Sequence, residues 1–157
     1  MSADPPGGIT MATSPPVLTG QSRRIVGILL LSLVAVEFGG YYLVQLASGR
    51  QEVTEFQDDF ARAGHAHAGV LVTLALVIVV LADAAQVRGA WGYAARLGVP
   101  LAAILMPAGF FLSSAGAGAT EPNGLIALVW LGALSLAAGV VSAGLGLLRG
   151  PGRPAGA

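Results

Sequence analysis

Apolar residues in this chain gather into four long runs, residues 25–46, 64–82, 94–112 and 125–148, each bounded by a short polar stretch. At about 1.5 Å of rise per helical residue the first run reaches about 33 Å, enough to cross the hydrocarbon core of a bilayer. None of the runs alternates apolar and polar positions as a barrel strand must, so a membrane β-barrel does not fit. The pattern predicts an all-α, polytopic membrane protein, a four-transmembrane-helix bundle at residues 23–149. The flanks read differently. Residues 1–22, with Pro5, Pro6, Pro15 and Pro16, and residues 150–157, with Pro151 and Pro154, lack periodicity and read as disordered cytoplasmic tails.

The intervals between runs carry their own signals. Between the first two, Val53, Phe56 and Phe60 recur on one helical face among Arg50, Glu52, Glu55, Asp58, Asp59 and Arg62, so a short amphipathic turn leading into the second span is expected. Pro100 and Pro107 lie inside the third run; each removes a backbone donor and crowds the preceding turn, which predicts a kinked helix. The interval before the fourth run, with Ser113, Ser114, Thr120, Glu121 and Asn123, is glycine-rich and reads as a flexible connector. The first run is longer than the apolar core of a signal peptide and contains Glu37 and Gln45, so it is expected to stay uncleaved.

Composition agrees with the membrane reading: 55% of residues are hydrophobic and only 10% charged. With no cysteine, disulfides, thiolate metal sites and cysteine nucleophiles are excluded. A net charge of zero argues against a nucleic-acid surface. All eight basic residues are arginine. Arg23, Arg24, Arg88, Arg96, Arg149 and Arg153 fall at one set of span ends and only Arg50 and Arg62 at the other, so the positive-inside rule puts both termini in the cytoplasm. The expected location is a cell membrane, a bacterial inner or plasma membrane.

Glu37 is the acidic residue within the interior of a span. A carboxylate at that depth costs at least about 2.5 kcal/mol unless it is protonated, paired or wet, so it should face the bundle, with Tyr41 four residues on as a hydrogen-bond donor. It is a candidate proton or ligand site, or a neutral acid joining two helices. The only histidines, His65 and His67, open the second span. Two residues apart on a helix they point about 200° from each other, so one metal held by both is disfavoured. Either alone is a candidate ligand for haem or a transition metal, or a proton relay, because imidazole does both near neutral pH. His67, beside Gly64, Ala68 and Gly69, is the better candidate for burial, and Asp58 and Arg62 are spaced to form an ion pair next to His65. The H-x-H pair resembles histidine pairs of some haem-binding respiratory subunits, but over a handful of residues and without the further histidines such centres need. It assigns no family.

In the fourth run Gly132, Ser135, Gly139, Ser142 and Gly146 form a small-residue stripe suited to close helix packing, within the bundle or against a second copy. Phosphate-binding loops, zinc-protease motifs and nucleophile elbows are absent from the sequence, so no common enzyme class is supported. Three functions stay open. The first is a non-enzymatic accessory or interaction subunit in the lipid bilayer, working as a homo-oligomer or with another membrane protein. The second is a proton-coupled carrier or channel component using Glu37. The third is a haem- or metal-binding redox protein using His65 or His67. Any active or binding region is expected in the outer half of the membrane, where Glu37, Tyr41, Arg62, His65 and His67 can converge.

Overall fold

The computed structural model describes residues 18–149; of the tails expected at residues 1–22 and 150–157, residues 1–17 and 150–157, with Arg153, lie outside the described residues. The described chain is helical, with α1 Gly20–Ala47, α2 Glu55–Ala84, α3 Gly89–Ser113 and, after a single 3-10 turn at Gly124–Ile126, α4 Ala127–Arg149. All four are long and apolar enough to cross a membrane. Each packs on the next in sequence, while α1 barely meets α3. The result is a tight α2–α3–α4 core with α1 laid along its side.

Two caps start helices earlier than the apolar runs suggest. Thr19 accepts a hydrogen bond from the Ser22 amide at 3.2 Å, so α1 begins inside the stretch expected to be tail. Thr54 and Gln57 form a reciprocal capping box, and the amphipathic stretch expected to run into the second span does so as the first turns of α2 itself. The same two side chains clasp the α3–α4 connection. Gln57 donates to the Ser114 and Gly116 carbonyls at 3.0 and 2.8 Å, and the Thr54 hydroxyl donates to the Ala119 carbonyl. Asn123 ties the far side of that connection to Leu112 at 3.0 Å. The loop expected to be a flexible connector is therefore anchored at several points. Thr54→Ala removes the cap and one clasp together; a loss of about 1–2 kcal/mol is expected in equilibrium unfolding.

α3 and α4 share the largest interface. A Cβ placed on Gly98 would lie 2.6 Å from the Gly139 Cα, so the two backbones touch there. Ser135 donates to the Gly98 carbonyl at 2.8 Å, Gly132 packs on Met106 and Gly146 on Val87. With Ser142 also buried, the small-residue stripe of α4 is covered by α3 and, at Gly146, by Val87 of the α2–α3 turn, which leaves no room for a second copy on that face. α3 runs as one helix through Pro100 and Pro107. The core between α2 and α3 is built largely of Ala and Val, with Ala75, Val79, Ala95, Val99 and Ala102 sealed from solvent, which is how the helices come so close.

α1 is the outlier. Of its 28 residues only Ser22, Leu29 and Leu46 are buried. Its outer side presents Leu31, Val34, Phe38, Tyr41 and Val44, each more than half exposed.

Candidate functional site

The start of α2 sends its two histidines to different neighbours. His65 turns to α1, where its ring lies on Gly39 and Gly40; a Cβ on Gly39 would come within 3.0 Å of Nδ1. The paired glycines make a flat seat, and any larger residue at Gly39 would push the ring away. Nδ1 is sealed there with no hydrogen-bond partner. His67 turns to α3. Its Nδ1 lies 2.7 Å from the Ala63 carbonyl, so that nitrogen carries the proton and donates. Its ring stacks at 5.0 Å on Phe110, which meets Phe60 edge-on at 5.5 Å. Gly64 gives the Phe111 ring room between the two. His67 is thus held by a local carbonyl and an aromatic contact, and His65 is the histidine whose ring has no polar partner. Among the described residues no three His, Asp or Glu side chains gather as metal ligands.

Glu37 does not face the bundle. α1 turns it outward, into a shallow apolar surface depression formed by Val34, Phe38 and Tyr41. The reason is rotational. The side of α1 that meets α2 is chosen by the Gly39–Gly40 seat for His65 and by Leu29, Leu33 and Val36, and this leaves Glu37 and Tyr41 on the opposite side. Arg62 is exposed and paired to Asp58 at 2.8 Å, four residues back on its own helix. The five residues expected to converge therefore occupy four separate places: Glu37 with Tyr41 outside α1, Arg62 on the surface of α2, His65 against α1 and His67 against α3.

Sequence reasoning missed the most connected polar cluster. At the end of the bundle where α1 begins, Asp83 accepts from Arg96 Nε at 2.6 Å and from the Thr19 amide at 2.6 Å. Arg96 continues to the Val87 carbonyl at 2.8 Å and the Ala82 carbonyl at 3.2 Å. One ion pair thus pins α1, α2, α3 and the α2–α3 turn. In the sequence Asp83 merely follows the second apolar run, and Arg96 counts only toward orientation. The available signal was an acid in the last turn of a helix, where it opposes the backbone dipole and needs a partner.

A cleft of about 240 Å³ opens between α1, α2 and α3. It extends along α1 from Ile28 to Gly39, with Val72 and Ala68 of α2 and Ala103 and Phe111 of α3 opposite, and His65 stands at its far end. No charged side chain lines it. Small residues on all three helices, Ser32, Ala35, Gly39, Ala68 and Ala103, leave the space; where α4 presents a similar stripe, α3 closes on it, but α3 does not close on α1.

No family model matches this chain, and comparison with curated proteins and with solved structures finds no similar protein.

Proposed function

We propose that this chain crosses a membrane four times, with both termini in the cytoplasm, and serves as a non-enzymatic interaction subunit that seats a helix of another membrane protein against the outer face of α1. The observation that carries the reading is Glu37 on that face, near the middle of a span and among Val34, Phe38 and Tyr41. A carboxylate in contact with lipid chains costs at least about 2.5 kcal/mol, a protonated carboxyl still asks for hydrogen-bond partners, and Tyr41 one turn away can satisfy only part of that capacity. A partner helix that brings a donor to this depth removes the cost.

We favour a different protein over a second copy. α1 carries no basic residue between Arg24 and Arg50, so two copies meeting on this face could satisfy their Glu37 carboxyls only by sharing a proton, whereas another chain can bring a basic group. A carrier role for Glu37 is less favoured, because the group stands among apolar side chains on the rim rather than along a polar path through the bundle.

A photoreactive residue at Phe38, used in native membranes, tests the reading. The expected product is a discrete adduct with one other polypeptide, lost in Glu37→Leu and retained in part in Glu37→Gln, while the isolated Glu37→Leu chain unfolds no more easily than the parent. Adducts only to lipid, a product with the mass of two copies, or an adduct indifferent to Glu37→Leu would each overturn it.

A further inference from the structure

From the pocket between the first turn of α1 and the start of α3 we infer a binding site for the phosphate of an anionic phospholipid, held by Arg88, Arg96 and the uncapped amides of α3, with an acyl chain along α3 past Leu97 and Leu101. The inference rests on the four-span reading, with this end of the bundle in the cytoplasm, and is independent of the partner on the outer face of α1.

The pocket holds about 250 Å³ and is lined by Thr19 and Gln21 from the start of α1 and by Arg88, Gly89, Tyr93 and Arg96. Its donors are not used up within the chain. Arg88 is exposed and pairs with no acid among the described residues. Arg96 has committed three of its five N–H groups, to Asp83, Val87 and Ala82. α1 and α2 are capped by Thr19 and Thr54, whereas α3 starts at Arg88 with no side-chain cap and no acid in its first turn. The amides at the positive end of a 25-residue helix are thus left to a ligand.

Charge selects an anionic lipid over a zwitterionic one. Among the described residues this end of the bundle carries Arg23, Arg24, Arg88, Arg96 and Arg149 against Asp83 alone. Asp83 is occupied at both oxygens, Oδ1 by Arg96 and Oδ2 by the Thr19 amide, so an ammonium head finds no carboxylate to meet it. A phosphate finds guanidinium groups and helix amides.

Position separates a lipid phosphate from a free one. Trp91, with the Arg149 guanidinium 4.9 Å over its ring, and Tyr93 are the aromatic residues expected at headgroup level. Tyr93 belongs both to the pocket and to an apolar stripe, since Leu97, Leu101 and Ile104 follow it at helical spacing on one face of α3 and are 44%, 47% and 66% exposed. A free phosphate uses only the polar half of this surface; a phospholipid uses both.

Native mass spectrometry of the full chain released from detergent micelles reads the site. Phosphatidylglycerol is expected to stay bound at one equivalent, at least about tenfold more tightly than phosphatidylcholine. Arg88→Gln should weaken it about tenfold, the value of one charge-assisted hydrogen bond. Ala90→Glu, one residue on from Gly89, sets a carboxylate in the first turn of α3, where it favours the helix but repels a phosphate, so thermal stability should hold while the lipid is lost. Arg50→Gln, at the other end of the bundle, should leave binding unchanged. Equal retention of the two lipids, binding unmoved by Arg88→Gln or Ala90→Glu, or equal affinity for glycerophosphoglycerol or inorganic phosphate would overturn the assignment. A chain that retains phosphatidylglycerol yet forms no adduct through Phe38 would keep this site and remove the proposed partner; an adduct with no lipid preference would do the reverse.

Discussion

Arg96→Met should be among the most damaging single substitutions in the chain, lowering stability by about 3–5 kcal/mol in equilibrium unfolding from detergent micelles. The Asp83 side chain is 1% exposed and that of Arg96 12%, so the pair is shielded from the water that makes surface ion pairs nearly worthless. Removing the guanidinium leaves the Asp83 carboxylate with the Thr19 amide and the Ser22 hydroxyl as its neutral partners, and it strips the Val87 and Ala82 carbonyls of a donor. The double variant Asp83→Leu/Arg96→Met should be distinctly less damaged than Arg96→Met alone, because the buried charge goes with its partner. A loss below about 1 kcal/mol for Arg96→Met would mean that the cluster is solvated and does not hold α1 to the core.

That cluster also shows where reading from sequence stops. The four apolar runs carried the helices because burial against lipid or against other helices needs little more than length and hydropathy. The small-residue stripe of α4 was visible for the same reason: glycine and serine at helical spacing mark a close approach whatever the partner. Rotation was another matter. Glu37 was assigned to the interior by the general cost of a charge in lipid, but the orientation of α1 is decided by Gly39 and Gly40 receiving His65, a contact between helices that spacing within one helix does not specify. Asp83 and Arg96 lie thirteen residues apart across a turn and pair through tertiary packing, so neither is legible as half of a pair. The clasp of Thr54 and Gln57 on the distant connection is a further case. Its capping half is written in the sequence as T-x-x-Q, and its long-range half appears only when α2 and α3 are packed.

Gly98→Val should be as damaging as loss of the ion pair, by an opposite mechanism. A Cβ at Gly98 would stand 2.6 Å from the Gly139 Cα, 2.8 Å from the Gly139 nitrogen and 2.8 Å from the Ser135 carbonyl oxygen. All three are backbone atoms, so no side-chain rotation relieves the clash and α4 must move as a body. Moving it breaks the 2.8 Å bond from Ser135 to the Gly98 carbonyl and opens the contacts of Gly132 and Gly146 along the same seam. Overpacking of a core typically costs about 1–3 kcal/mol when side chains can yield; with backbone on both sides about 3 kcal/mol or more is expected. Gly144→Val is the matched control. It lies on α4 with nothing within 4 Å of its would-be Cβ, shares the helical setting, and should change stability little. Thermal unfolding of the two variants side by side, with a cysteine pair introduced across α3 and α4 to report their distance, separates the outcomes. Equal behaviour of Gly98→Val and Gly144→Val would mean that the two helices do not meet backbone to backbone. A selective loss at Gly98, with cross-linking between α3 and α4 lost alongside it, would fix the α3–α4 seam as the rigid part of the molecule against which the loosely held α1 is free to present Glu37.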